Sequence, residues 1–372
     1  MKEINDILSE YKKIDPATER VALATVVRVE GSSYRRTGAR MLIHENGQWT
    51  GGISGGCLEG DALRRAKQAI VQNKAAIVTY DTTQDDGHQI GVGLGCNGII
   101  DVLLAPVQSL ANHNPLEILR KCVADRREHV VLTLTGIEKE TENAPVGSMF
   151  YFSNGENGQA EFPFPDLREQ VLASVREAFA SKQSSPAAFQ SEQFGQVGFF
   201  IEYLPPPIHL VLCGAQYDVY PMASLAKAIG WKVSVVANPS KLNRSIFQTA
   251  DQVISSKMDW LAEAQPDDRT ALVLMAHDFV TDKRNLAMAA GAPPPYVGIL
   301  GPRKRYEKMT SELSAEGIEF SEELKARLFN PIGLDVGATT PEGIAIAILA
   351  EVQAFFSGRQ GGFLRERTKP IN

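Results

Sequence analysis

The sequence predicts an α/β protein with two domains. The first is a mixed α/β domain over residues 1–204, and the second is a Rossmann-like domain with a doubly wound parallel sheet over residues 205–372. A chain of 372 residues corresponds to two domains at roughly 100–200 residues each. Three consecutive prolines at 205–207 separate them, because proline stiffens a linker and cannot donate to a sheet. After these prolines, short apolar runs alternate with helical patterns, which predicts parallel strands joined by helices.

The first domain mixes strands, a hairpin and helices. Valine-rich alternation predicts a strand at 22–30, and Asn46-Gly47 predicts a hairpin turn between strands at 39–43 and 48–53. Apolar residues at helical spacing predict the helices. The predicted helices cover 58–73, 115–126 and 166–181, and the further strands cover 76–80, 99–105, 130–135, 147–152 and 198–204.

The second domain has a regular strand–helix alternation. A threonine, a proline and a glutamate at 340–342 predict a helix start, with a hydroxyl cap followed by proline and an acid. The predicted strands cover 208–213, 232–236, 252–254, 271–276 and 296–300, and the helices that the pattern delimits cover 219–229, 282–290 and 341–356.

Bulk composition excludes several classes of protein. A formal net charge of -6 without a block of basic residues disfavours a nucleic-acid binder. The sequence has no run of about 18 apolar residues, so we expect no membrane span. Residues 1–13 are polar and charged, unlike a signal peptide, and we expect a cytoplasmic protein. The four cysteines include no CxxC pair, which predicts neither a disulfide framework nor a structural zinc site.

Two glycine-rich segments of the first domain, residues 51–60 and 91–98, are candidates for an anion site. Gly55 and Gly56 lead into the helix predicted from Leu58, and bare amides at a helix N-terminus attract anions. Upstream, residues 31–40 add hydroxyl groups and three guanidinium groups. Tight turns between strands explain the same glycines equally well.

The four cysteines differ in their predicted surroundings. Cys57 lies at the predicted helix N-terminus, a position that favours a thiolate, although a free cysteine is more often a small buried residue. Cys96 has the same two interpretations. Cys122 shares an apolar helix face and Cys213 ends a buried strand, so we expect both in the core.

Several runs resemble the xanthine dehydrogenase accessory factor (XdhC/CoxI) family, in order along the chain. In the first domain these runs are residues 25–33, 38–42, 55–60 (Gly-Gly-Cys-Leu-Glu-Gly) and 93–98 (Gly-Leu-Gly-Cys-Asn-Gly). In the second domain they are residues 277–278, 296–303 and 331–342. Asn97 stands where the family usually has a third glycine.

The resemblance implies an accessory factor rather than an enzyme. Members of this family bind the molybdenum cofactor, a pterin dithiolene with a phosphate, as cargo. They pass it to a xanthine dehydrogenase-type apoenzyme, with sulfur from a cysteine desulfurase, and a homodimer fits such an assembly. Cys57 is then the candidate contact to molybdenum or its sulfido group. The implied cofactor-binding residues are Cys57, Gly55, Gly56, Glu59, Cys96, Gly95, Arg40 and Ser33.

The second domain departs from the NAD-binding pattern. Of the glycine fingerprint after its first strand only Gly214 remains, and Gln216 stands where the backbone should approach a pyrophosphate. The second strand ends at Val236-Ala237-Asn238 without the carboxylate that binds a ribose. We therefore expect no NAD(P).

Candidate residues nevertheless lie where open α/β sheets bind ligands. His277 and Asp278 follow a central strand, and Asp335 lies in a later glycine-rich loop. The first two form a candidate acid–base pair, or Asp278 only caps the next helix. Asp335 either reaches the crevice or bonds its own turn. Two other functions stay open: a nucleotide- or dinucleotide-dependent enzyme, and a scaffold that docks the sulfur donor on the apoenzyme.

Overall fold

The computed structural model describes residues 1–15, 17–83, 98–107, 113–154 and 162–368. The chain divides into two compact units, Met1–Pro206 and Pro207–Ile371. Among the described residues, no helix has both the length and the apolarity needed to cross a bilayer.

The described residues of the first unit form two antiparallel sheets and four helices. Its helices are α1 (Lys2–Tyr11), α2 (Glu59–Gln72), α3 (Pro115–Ala124) and α4 (Arg168–Ser181). Its strands are β1 (Val21–Gly31), β2 (Arg40–His44), β3 (Trp49–Gly51), β4 (Ala76–Asp81), β5 (Gly98–Pro106), β6 (His129–Ile137), β7 (Met149–Ser153), β8 (Ser185–Ser191) and β9 (Gly195–Leu204).

The first sheet has the strand order β3-β2-β1-β5-β4. Strand β1 pairs antiparallel with both β2 and β5, so it is buried along most of its length. Helix α2 covers this sheet with Ala62, Ala66 and Ile70, which recur at helical spacing and pack against the apolar side chains of the strands. The predicted hairpin and the predicted helix are confirmed, and the sheet edge places the loop 52–58 at the start of α2.

The second sheet has the order β7-β6-β9-β8 and is covered by α4. Its core is a group of edge-to-face aromatic rings that includes Phe150, Phe164 and Phe199. Two elements of this unit were missed from the sequence. Strand β8 is an edge strand whose side chains are mostly not buried, so it lacks an apolar alternation. Helix α1 buries Ile4, Ile7 and Leu8 within a run that is otherwise polar.

The second unit is a parallel sheet with helices on both faces. Its strands are β10 (His209–Cys213), β11 (Lys232–Ala237), β12 (Gln252–Ser255), β13 (Thr270–Leu274), β14 (Tyr296–Ile299) and β15 (Leu328–Phe329). Its helices are α5 (Val219–Ala228), α6 (Ile246–Thr249), α7 (Trp260–Ala264), α8 (Phe279–Gly291), α9 (Arg303–Ala315), α10 (Glu322–Ala326) and α11 (Pro341–Phe356).

The strand order β12-β11-β10-β13-β14-β15 confirms the Rossmann-like prediction. Alternate residues of β10 face opposite sides, because Leu210 and Leu212 pack with α5 and α11 while Val211 packs with α8 and α9. After β10 the chain forms β11, which pairs with one side of β10, and later returns to form β13, which pairs with the other side. The carboxyl ends of β10 and β13 therefore flank the point where the strand order reverses.

Candidate functional site

The loop before α2 is fastened by Glu59. Its Oε1 accepts the amides of Ile53, at 3.2 Å, and Ser54, at 2.8 Å, while the Ser54 hydroxyl donates to its Oε2. Burial raises the pKa of Glu59, but these hydrogen bonds together lower it below its usual value. The carboxylate predicted to contact a cofactor is thus bonded within its own loop.

The hydroxyl oxygen of Ser54 also stabilises this loop, by accepting backbone amides that follow it. It accepts the amides of Gly56, at 3.2 Å, and Leu58, at 3.1 Å, and it lies 3.8 Å from the Cys57 Sγ. The expectation of bare glycine amides is therefore wrong for Gly56, because a neighbouring hydroxyl accepts its N–H. Glycine is required there by a φ of +110°, and at Gly55 an added Cβ would lie 3.4 Å from the ring of Tyr34.

Cys57 differs from the other described cysteines. It lies two residues before α2 and is partly exposed, whereas Cys122 and Cys213 are buried. Burial raises the pKa of Cys122 to about 12 and that of Cys213 still further, so both stay as thiols. Among the described cysteines, only Cys57 offers its sulfur to a ligand. Cys96 and Gly95, with most of the second glycine-rich segment, lie outside the described residues.

The guanidinium of Arg40 is bonded to groups inside the protein. It is fully buried and donates to both carboxylate oxygens of Glu202 on β9, with 3.0 Å between Nη1 and Oε1. It also donates to the carbonyl of Gly38 at 2.9 Å. This pairing disfavours the predicted role of Arg40 in binding the cofactor, because a charge in the interior needs a permanent partner, and Glu202 is that partner. Ser33 is also buried, at 7% exposure.

A cavity of about 380 Å³ adjoins the Cys57 loop through Tyr34. Its lining includes Arg35, which forms an ion pair with Glu3, and the exposed Arg36. A larger cavity of about 540 Å³ opens beside Asn73, at the opposite end of α2. Since α2 has 14 residues, the Asn73 end of this larger cavity lies about 20 Å from Cys57.

In the second unit, the predicted His277–Asp278 pair does not form. The Asp278 Oδ1 accepts the Thr281 amide at 2.8 Å and caps α8, and hydrogen bonds from Thr281 lower the pKa of this carboxyl. His277 instead bonds through Nε2 to the Oδ2 of Asp218, at 2.6 Å. The sequence analysis did not identify Asp218, because the glycine fingerprint assigns no role to its position. The rule that neighbouring parallel strands end at one edge could have placed it opposite His277.

Of the other two crevice candidates, Gly214 has a structural explanation. An added Cβ at Gly214 would lie 2.5 Å from the Met275 carbonyl oxygen, so the close approach of the loops after β10 and β13 requires glycine. Asp335 is exposed in the loop after β15. No group of three or more potential metal ligands occurs among the residues that the structure describes.

Comparisons with known proteins agree with this architecture. One family model, the XdhC Rossmann domain, matches residues 210–352, and another, the XdhC and CoxI family, matches residues 16–81. A probable xanthine dehydrogenase subunit from Bacillus subtilis (strain 168) is 30% identical over 338 residues, which are 90% of this chain and 92% of that protein. The molybdenum cofactor insertion chaperone PaoD of Escherichia coli (strain K12) is 24% identical, over 89% of this chain and 81% of that protein.

A solved structure has the same fold along nearly the whole chain. The crystal structure of a xanthine dehydrogenase from Bacillus halodurans superimposes with a TM-score of 0.71 at 25% sequence identity. The match covers 97% of each chain, so the two units occur together in both proteins.

Proposed function

Because the chain belongs to the XdhC and CoxI family, we propose that it binds the molybdenum cofactor and delivers it to a xanthine dehydrogenase-type apoenzyme. The cofactor is cargo in this proposal, so the protein is an accessory factor of the cytoplasm rather than a catalyst with turnover. The name of the relative PaoD, a molybdenum cofactor insertion chaperone, supports this role. A cysteine desulfurase as sulfur donor and a homodimeric assembly belong to the same proposal.

The position of Cys57 carries the proposal. A thiolate is a soft ligand that suits molybdenum or its sulfido group, and Cys57 is the partly exposed thiol among the described cysteines. Its loop is closed by Ser54 and Glu59, which hold the backbone that carries the sulfur. We infer that Glu59, Gly55 and Gly56 shape this loop and do not bind the cofactor through free groups of their own.

The cavity beside Tyr34 is the proposed place for the polar end of the cargo. Arg35 and Arg36 line it, and guanidinium groups form strong charge-assisted hydrogen bonds with phosphate. Arg35 is already paired with Glu3, so a phosphate there competes with that carboxylate. Gly95 and Cys96 stay in the proposal as a second segment of the site.

The test is anaerobic loading of the purified protein with molybdenum cofactor. The change is Cys57→Ala, and the matched control is Cys122→Ala, which removes a thiol from the core of the same unit. We expect the first variant to retain the cofactor at least tenfold less tightly, which is about 1.4 kcal/mol, and the control to stay within twofold of the wild type.

Two other results would contradict parts of the proposal. If the wild type retains no cofactor, the scaffold function replaces the chaperone function. If the wild type retains it and Cys57→Ala retains it equally well, the protein binds the cofactor elsewhere, and Cys57 is not its contact.

A further inference from the structure

The second unit has a pair of side chains at its switch point that the delivery of a cofactor does not use. His277 follows β13 and Asp218 precedes α5, and their 2.6 Å hydrogen bond joins the loops that flank the reversal of strand order. Crevices at this position are where open α/β sheets bind ligands. Half of the His277 side chain is exposed, whereas 13% of the Asp218 side chain is.

The backbone turns His277 outward. Its φ is +54°, and the other described non-glycine residues with positive φ are the C-caps of helices. The neighbours on both sides of His277 are anchored, because Ala276 donates its amide to the buried Asp282 and Asp278 caps α8. His277 is therefore the apex of a sharp strand-to-helix turn, with both flanking residues fixed.

Asp218 determines which ring nitrogen of His277 is available. A carboxylate only accepts hydrogen bonds, so the Nε2 of His277 carries a proton and donates it to Asp218. In the neutral ring the Nδ1 is then an acceptor. The pair presents one oriented acceptor to a ligand that has an N–H group.

The same carboxylate disfavours phosphate groups. In dinucleotide-binding Rossmann domains the pyrophosphate lies at the N-terminus of the first helix. Here Asp218 is the N-cap of α5, and its Oδ1 is buried without a hydrogen-bond partner among the described residues. Its negative charge, with one hydrogen bond from His277, occupies the place where a phosphate would have to lie.

Apolar side chains flank the pair in the sequence. Tyr217 precedes Asp218, and Val280 lies in the first turn of α8; each is 71% exposed. Exposed rings of this kind stack on planar heterocycles. An imidazole acceptor whose partner Asp218 follows an exposed tyrosine in the chain suits a flat ligand with an N–H edge.

We propose that this crevice binds a planar nitrogen heterocycle of the purine or pyrimidine class, with the Nδ1 of His277 as acceptor for its N–H and with no phosphate contact. Asp218 is the positioning residue for His277 and the group that rejects phosphate. The site does not depend on binding of the molybdenum cofactor.

The experiment is calorimetric titration of the full chain with guanosine, cytidine, guanosine monophosphate and NAD. We expect a nucleoside to bind at submillimolar concentration, and guanosine to bind more tightly than its monophosphate. His277→Asn keeps a residue that tolerates positive φ, and it should weaken the nucleoside at least fivefold. Asp218→Ala removes no cap bond, and it should shift the preference toward the monophosphate.

Asp278→Asn is the matched control, because it removes a charge from the same turn while asparagine still caps α8. Its nucleoside affinity should stay within twofold of the wild type. No nucleoside binding at millimolar concentration would overturn the proposal. So would tighter binding of NAD than of guanosine, or equal affinities of the wild type and His277→Asn. If His277→Asn does not fold, Asp218→Ala tests the proposal: a preference for guanosine over its monophosphate as strong as that of the wild type would overturn it.

Discussion

Replacing Glu202 with glutamine tests whether Arg40 holds the first unit together. The two side chains are 0% and 8% exposed, and they connect β2 of one sheet to β9 of the other. Burial lowers the pKa of Arg40, but the charge and hydrogen bonds of Glu202 raise it above its usual value, so the guanidinium keeps its proton. Glutamine has nearly the same shape, and the change therefore removes from a buried cation its main counterion, while Glu3 contributes a weaker charge interaction.

The expected loss is large relative to the stability of a domain. Removal of one partner from a buried ion pair costs about 3–5 kcal/mol, and a domain is stable by about 5–15 kcal/mol. Hydrogen exchange in increasing guanidinium chloride, followed by mass spectrometry, measures this for each unit separately. Peptides from β1 and β9 should lose protection at lower denaturant, while peptides from β10 and β13 serve as an internal reference.

The double variant Arg40→Met/Glu202→Leu separates packing from binding. Apolar residues of similar volume often replace a buried ion pair without loss, so we expect it to recover most of the stability that Glu202→Gln loses. It should also retain the molybdenum cofactor as the wild type does. If Glu202→Gln lowers the free energy of unfolding of the first unit by less than about 1 kcal/mol, the pair does not hold that unit together. If the double variant is stable but no longer retains the cofactor, the pair takes part in binding.

Three further predictions concern the first unit. Gly56→Ala should lower the free energy of unfolding, measured in urea, by about 1–3 kcal/mol because the φ of Gly56 is +110°. The control Gly60→Ala, at a position inside α2 with equally open space, should raise it by up to about 1 kcal/mol. Equal effects of the two changes would contradict this prediction. Burial raises the pKa of Asp61, but hydrogen bonds from two arginines and a tyrosine lower it overall. Asp61 should therefore stabilise the folded protein above its usual pKa, and this stabilisation should fade as the pH falls through its lowered pKa. The urea midpoint of Asp61→Asn should then vary less with pH than that of the wild type. In native protein at pH 8, iodoacetamide should label Cys57 and leave Cys122 unlabelled until unfolding, as peptide mass spectrometry would show.

The sequence predicts the sheet topology of the second unit better than that of the first. Its central strands β10 and β13 are buried on both faces and read as continuous apolar runs, and the connections between parallel strands must be long crossovers. The first unit includes β8, which is supported by backbone pairing to β9 rather than by an apolar face. Helix α1 is also hard to recognise in the sequence, because only three of its ten residues are buried.

Residue types predict where charged side chains occur but not which partners they find. Arg40 is an attractive phosphate ligand until the fold brings Glu202, 162 positions later in the sequence, against it. Asp278 stands next to His277 in the chain, yet on a sharp turn adjacent side chains point apart, and the partner comes from the loop after another strand. Both pairings depend on tertiary contacts, which no local pattern encodes.

Functional groups in this chain can therefore be identified by what the fold leaves available. Glu59 is bonded to its loop, Asp278 to the start of α8 and Arg40 to Glu202, so each supports the backbone near a candidate site. Cys57, which lies in the loop that Glu59 fastens, is partly exposed, and His277, which precedes Asp278, keeps a half-exposed ring. A charged residue near a site is evidence for ligand binding only after its internal hydrogen bonds have been assigned. By that criterion the soft sulfur of the first unit and the oriented imidazole of the second are the groups on which ligand experiments should concentrate.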